Sequence, residues 1–253
     1  MTNLSGKVAL VTGAGQGVGQ GIALALARAG AAVAVTGRTE SKLVETCAQI
    51  KAFGGKSVSI ACNVRAVGDL ARTVEKTAAD FGGIDILVNN AQEVPLGRLM
   101  DVADEAFLGG FESGPLASFR LMKMVHPYMV KRGGGVMFNL ATSAAQRWDM
   151  SGYGTYAAVK QAIRSLTRAG AAEWGPDGIR VLTIAPHADS PALKWWIANR
   201  PAESAEFFKT IPLGRIGECE RDIGNAIVAL CGPEMGYLTG ATIPLDGGQA
   251  NFH

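Results

Sequence analysis

VALVTGAGQGVGQGIALALARAG, residues Val8–Gly30, decides the fold. Val8 to Val11 is a short apolar run of the kind that forms a buried strand. It passes directly into a turn carrying Gly13, Gly17 and Gly19, ahead of an Ala/Leu-rich stretch of helix formers. Glycines there allow a tight turn, let the backbone approach a pyrophosphate, and set that anion at a helix N-terminus whose amides and dipole attract it. Alone, such spacing is also that of any strand-to-helix turn. Directly after a first strand and before a helix it reads as a nucleotide site, with Gln16 and Val18 among its contacts.

Six further β-rich runs follow the first: Val33 to Thr36, Val58 to Ala61, Ile86 to Val88, Val136 to Leu140, Val181 to Ala185 and Thr242 to Leu245. Seven strands alternating with helical patterns predict a doubly wound α/β fold, a seven-stranded parallel sheet with helices on both faces. No linker, repeat or change of composition marks a boundary, so residues 1–253 are expected to form one domain. The least regular part is 187–213, which carries Trp195, Trp196, Phe207 and Phe208. A segment of that length in a compact domain is expected to be a lid over a substrate.

Charge and cysteine usage narrow the class. Lys plus Arg number 24 against 22 Asp plus Glu, without basic blocks, which argues against a nucleic-acid partner. Cys47, Cys62, Cys219 and Cys231 are scattered without metal-ligand spacing, so they read as thiols in a reducing compartment, with no metal site indicated. Arg28 interrupts the longest apolar stretch, no membrane association is expected, and the protein is expected to be cytoplasmic.

The second strand ends VAVTGRTES. Where an acidic residue would hold a ribose 2′-hydroxyl, Gly37 stands, and Arg38 follows. A guanidinium at that place suits a 2′-phosphate, favouring NADP(H), with NAD(H) as the alternative. The blander reading pairs Arg38 with Glu40 on the surface.

Tyr156 and Lys160 sit four apart in SGYGTYAAVKQAIRSLTRAGAAEW, where helical spacing stacks them on one face. A phenol titrates near pH ~10, and a fixed ammonium beside it is expected to lower that value into a range useful for proton transfer. Ser143 lies thirteen residues before Tyr156, after the apolar run GVMFNLAT, at a strand's carboxyl end where α/β sites gather. Its hydroxyl is expected to hold a substrate oxygen as charge develops there.

TGAGQGVG, Asn89 to Ala91 as N-N-A, Ser143, Y-A-A-V-K and a late L-D-G-G, all in order, make the chain resemble the short-chain dehydrogenase/reductase family over nearly its whole length. The resemblance implies a Rossmann fold, with Tyr156 as general acid/base, Lys160 tuning it and binding the nicotinamide ribose, and Ser143 orienting the substrate oxygen. It also implies cofactor contacts at Asn63 and Val64 near adenine, at Asn90 and Ala91, and at Ile184, Pro186 and Ser190 near nicotinamide, and assembly as a homotetramer or homodimer. The implied reaction is hydride transfer between nicotinamide and a carbonyl or secondary alcohol carbon. Trp195, Trp196, Phe207 and Phe208 point to an apolar ketone or alcohol as the small-molecule substrate, or alternatively to packing of a helix against the core or a neighbouring subunit.

Three positions depart from the family pattern. Gln92 replaces the Gly that usually follows N-N-A, and is expected to shape the substrate pocket. The expected helix from Asp104 to Lys131 carries Gly114 where the family has an Asn that helps hold a water leading from Lys160 to solvent, with Ser113 or an extra water as substitutes. His187 follows Pro186 in place of Gly, putting a titratable ring beside the pocket, or a solvent-facing loop histidine on the blander reading. The alternative function is a catalytically impaired nucleotide-binding member acting as a regulatory or structural partner. A related dehydration or isomerisation is a third.

Overall fold

A computed structural model describes residues 2–146 and 152–250. Seven strands form one sheet in the order β3-β2-β1-β4-β5-β6-β7. They are β1 (Val8–Thr12), β2 (Ala32–Gly37), β3 (Lys56–Ala61), β4 (Ile86–Asn89), β5 (Gly135–Leu140), β6 (Ile179–Pro186) and β7 (Thr242–Leu245). Every pairing is parallel, with Leu10 opposite both Ala34 and Leu87. The chain winds from β1 outward to β3, then returns to lay β4 on the other side of β1. That reversal opens a crevice at the carboxyl ends of β1 and β4, the place where open α/β sheets bind ligands.

All seven runs read from the sequence are strands, extended by a residue or two at their ends in most cases. Alternation along each strand explains the two covered faces. Ala9, Val11 and Phe138 pack with Ile22, Leu26 and Ile227, whereas Leu10 and Met137 pack with Leu70, Leu121 and Met129 on the opposite face. The covering helices are α1 (Gly17–Arg28), α2 (Glu40–Ala52), α3 (Val67–Phe81), α4 (Asp104–Phe111), α5 (Ala117–Lys131), α6 (Gly154–Trp174), α7 (Pro191–Asn199), α8 (Pro201–Phe208) and α9 (Asn225–Leu230).

Two expectations need correction. The span 104–131 is a single rod, but a π-helical turn, Glu112–Leu116, separates α4 from α5. Pro115 lies inside it and lacks the N–H that an α-helical bond would use, and Gly114 is a weak helix former, so the ladder widens there. Residues 187–213 are also more regular than expected, because α7 and α8 account for most of the segment. Their start signals are present: Ser190 Oγ accepts from Leu193 N at 3.3 Å, and Pro191 and Pro201 each open a helix. Among the described residues, no helix is long and apolar enough to cross a membrane.

Candidate active site

The glycine turn after β1 is closed by its own compactness. Gly13 has φ +65° and Gly17 φ +58°, backbone that L side chains rarely adopt. A Cβ on Gly13 would stand 2.7 Å from Asn90 Nδ2, so no side chain fits between the turn and the loop after β4. That loop is stitched to the turn: Asn90 Nδ2 donates to the carbonyls of Thr12 and Gly13, while Thr12 Oγ1 accepts from the backbone amides of Asn90 and Ala91. The result is a bare backbone cradle at the N-terminus of α1, which fits a pyrophosphate.

Beside it lies a cleft of about 400 Å³. The structure brings Gly13, Gln16, Gly17, Val18 and Gly19 to its lining, together with Asn63, Val64, Asn90, Ala91, Gln92 and Ser190. Arg38 lines the same cleft, and so do Thr39 and Lys42, which sequence reading did not single out. Lys42 Nζ donates to Gln16 Oε1 at 2.5 Å, so a second cation stands near Arg38 at the end of β2. Its signal was its place in the first turn of α2, four residues beyond Arg38. Arg38 pairs not with Glu40 but with Glu93, Nη1 to Oε1 at 3.0 Å. Glu93 also faces Arg65 at 3.5 Å, and Arg65 in turn bonds Glu112.

The proposed proton-transfer groups lie at the carboxyl end of β5 and on α6, outside the lining of that cleft, as does Pro186. Ser143 is buried and opens a 3₁₀ turn after β5. Its hydroxyl donates to Asp246 Oδ2 at 2.6 Å, and Asp246 also accepts the amides of Gly248 and Ala250. The L-D-G-G motif thus contributes a carboxylate to the site. Tyr156 and Lys160 share one face of α6, with the Lys160 ammonium 5.5 Å from the phenol ring centre. Thr155 Oγ1 donates to Pro95 O at 2.6 Å, fixing the start of this helix against the loop after β4.

Electrostatics here depart from the expectation that Lys160 would pull the phenol down. Burial pushes the Tyr156 phenol above its ordinary value, with Tyr153 adding to the rise, and lowers Lys160 to about 7. Lys160 is enclosed, and its one protein acceptor among the described residues is Leu140 O, a neutral carbonyl at 2.5 Å. Desolvation therefore penalises the charged form of both groups.

The remaining candidates divide. His187 is half-buried rather than solvent-facing, its ring edge-on to Phe207 at 5.2 Å. Trp196 meets the same ring at 5.4 Å, so the residue that follows β6 shares one aromatic cluster with α7 and α8. Trp195 stands outside it, 65% exposed. Ile184 is wholly buried in the core. Ser113 cannot readily stand in for a missing asparagine, because its hydroxyl donates to Gly109 O at 2.7 Å and accepts Glu93 N at 3.0 Å.

Comparison with known proteins finds relatives along nearly the whole chain. The family model described as enoyl-(acyl carrier protein) reductase matches residues 13–250. The chain is 36% identical to a 12alpha-hydroxysteroid dehydrogenase of Clostridium sp. over 255 residues, covering 96% of each chain. A putative short-chain alcohol dehydrogenase from Sinorhizobium meliloti 1021 superposes with a TM-score of 0.91 at 37% identity, covering 98% of this chain and 97% of that one. A 7 alpha-hydroxysteroid dehydrogenase complexed with NADH and 7-oxo glycochenodeoxycholic acid gives a TM-score of 0.93 at 31% identity, covering 99% and 96%. The chain belongs to the short-chain dehydrogenase/reductase family, NAD(P)-dependent oxidoreductases acting on CH–OH and C=O groups.

Proposed function

We propose that this protein is an NADP(H)-dependent oxidoreductase that interconverts an apolar ketone and its secondary alcohol, with Tyr156 as the general acid/base. The observation that carries the reading is the pairing of Tyr156 with Lys160 on α6, which packs against the turn opened by Ser143 at the end of β5, in a chain whose glycine turn after β1 leaves a cradle that fits a pyrophosphate.

When bound, the nicotinamide nucleotide supplies or accepts the hydride. Gly13, Gly17 and Gly19 would hold its pyrophosphate, Asn63 and Val64 would flank the adenine, and Arg38 with Lys42 would take the 2′-phosphate, all of them lining one cleft. The absence of a carboxylate at Gly37 supports the phosphate over a free 2′-hydroxyl. Tyr156 gives a proton to the carbonyl oxygen in reduction and takes it back in oxidation. Lys160 governs how readily it does so, since its ammonium stabilises the phenolate and its own pKa near 7 makes that charge variable at working pH. Ser143 turns its hydroxyl from Asp246 toward the substrate oxygen, which needs a rotation because one hydroxyl has one proton to donate.

An apolar substrate is supported by Trp196, Phe207 and His187 gathered beyond β6, and by relatives named for hydroxysteroids. The test is a panel of ketones from cyclohexanone to 7-oxo bile acids, assayed with NADPH and NADH. Reduction of bulky apolar members, faster with NADPH, is the expected outcome. Activity confined to small polar ketones, or equal use of both nucleotides, would refute that part of the reading.

A further inference from the structure

Gln92 and Gly114 are two departures from the family pattern that meet in space. Gly114 is buried in the π-helical turn, and a Cβ built on it would stand 2.9 Å from Gln92 Cδ and 3.0 Å from both Nε2 and Oε1. The three nearest atoms are all of the Gln92 amide. That amide therefore lies against the bare α-carbon of residue 114, in space that any side chain at that position would need. Both of its polar atoms are buried, and neither has a hydrogen-bond partner among the described residues. An amide buried without partners is costly, and such a group in a native site calls for a ligand or water to complete it.

The location lies against α6, the helix that carries the proton-transfer pair. Gln92 belongs to the loop whose Pro95 carbonyl takes the Thr155 hydroxyl, one residue before Tyr156. Gly110, one turn before Gly114, sits between that loop and α6: a Cβ there would be 2.8 Å from Pro95 Cγ and 3.3 Å from Val159, the neighbour of Lys160. The π-helical turn that carries Gly114 itself packs on α6, the helix of Tyr156 and Lys160. Ser113 is committed to Gly109 and Glu93, so it offers no competing group.

We propose that Gln92 is a positioning residue of the proton path, its amide reaching from the loop after β4 into the space left by Gly114 to hold the water through which Lys160 exchanges protons with solvent. This rests on the reading of Tyr156 and Lys160 as the proton-transfer pair. In ketone reduction the hydride comes from the nicotinamide and the proton from Tyr156, and the phenolate is then reprotonated from solvent through Lys160. The amide accepts with Oε1, donates with Nε2, and gains or loses no proton overall. The polar group of this path has thus moved from the helix to the facing loop, with the two substitutions compensating each other.

The test uses the full chain, NADPH and the best ketone of the panel above. Gln92→Leu keeps the bulk and removes the amide. Its kcat at saturating NADPH should fall by roughly 10- to 100-fold, and its kcat–pH profile should shift. A merely structural Gln92 would leave the pH profile unmoved. Gly114→Asn alone should be damaging, since the new side chain collides with Gln92. Gln92→Gly combined with Gly114→Asn should recover most of the turnover that Gln92→Gly loses, which also decides the matter if the leucine variant fails to fold. Wild-type kcat and pH profile in Gln92→Leu, or a double variant no faster than Gln92→Gly, would overturn the proposal. Tyr156→Phe separates the two readings: if it is inactive while Gln92→Leu is unchanged, only the role of Gln92 fails, and if it stays active, the proton-transfer assignment itself fails.

Discussion

Arg38 and Glu93 face each other at the edge of the glycine-turn cleft, Nη1 to Oε1 at 3.0 Å, although they lie on different loops. The pair is solvent-exposed on the arginine side, so its own contribution is small, of the order of 0.2–1 kcal/mol. Its consequence is for binding. A 2′-phosphate must draw Arg38 away from Glu93 and tolerate the nearby carboxylate. Glu93→Gln is therefore expected to tighten NADPH by about two- to fivefold with little change for NADH. Arg38→Asp should weaken NADPH by at least about tenfold and improve relative use of NADH. Fluorescence titration of each variant with both nucleotides checks this, and equal affinities of wild type for NADH and NADPH would contradict it.

Lys160 should leave a mark on the stability of the nucleotide-free protein. Its pKa is about 7 in the fold against 10.5 ordinarily, so between these values the unfolded chain binds more protons and stability rises with pH. The slope approaches ~1.4 kcal/mol per pH unit where one whole proton separates the states. Tyr156 acts oppositely at higher pH: its raised pKa means the fold keeps a proton that the unfolded chain loses above pH 10, and stability then falls. Thermal unfolding at pH 7 and 9.5 should show the rise in wild type and a flatter response in Lys160→Met. Parallel slopes would show that Lys160 is not held in its neutral form by burial.

Most of the fold is legible in the sequence because each strand is a local apolar run ended by turn residues. The helices α7 and α8 were legible in principle, through Ser190, Pro191 and Pro201, but the aromatic content of 187–213 drew the reading toward an irregular lid. What stayed hidden is long-range. Nothing near Arg38 announces Glu93, nothing near Ser143 announces Asp246, and the fit of Gln92 against Gly114 joins two residues that look like independent defects until a loop and a π-helical turn are brought together. The lowered phenol pKa expected from Y-x-x-x-K failed for a related reason. Spacing fixes which side chains meet, while burial, invisible in the spacing, decides which charge state they prefer.

Trp195 and Trp196 should respond differently to truncation. Trp196 packs edge-on against Phe207, which packs against His187, whereas Trp195 is largely in solvent. Trp196→Ala is expected to raise KM for bulky apolar ketones by roughly tenfold, in line with the ~0.5–1.5 kcal/mol of an aromatic pair plus lost apolar area. Trp195→Ala should stay within about twofold. Steady-state kinetics on both variants decides, and a larger effect at Trp195 would move the substrate contact to the outer face of α7.

Ser143→Ala should lower kcat/KM by about 100-fold while leaving nucleotide affinity intact, the usual cost of deleting one donor to a developing oxyanion. Isothermal titration with NADPH alongside kinetics separates the two effects. Loss of nucleotide binding instead would mean that Ser143 serves the fold through Asp246 and not the substrate oxygen.

The central claim is that Tyr156 transfers the proton, and Tyr156→Phe tests it most directly because it removes one hydroxyl and almost no packing. Single-turnover oxidation of NADPH with a saturating ketone, followed beside the Kd for NADPH, is the measurement. A loss of about 100-fold or more in rate with Kd unchanged within about twofold is the result predicted. Turnover near that of wild type would contradict the assignment and return the site to a nucleotide-binding pocket without an acid/base.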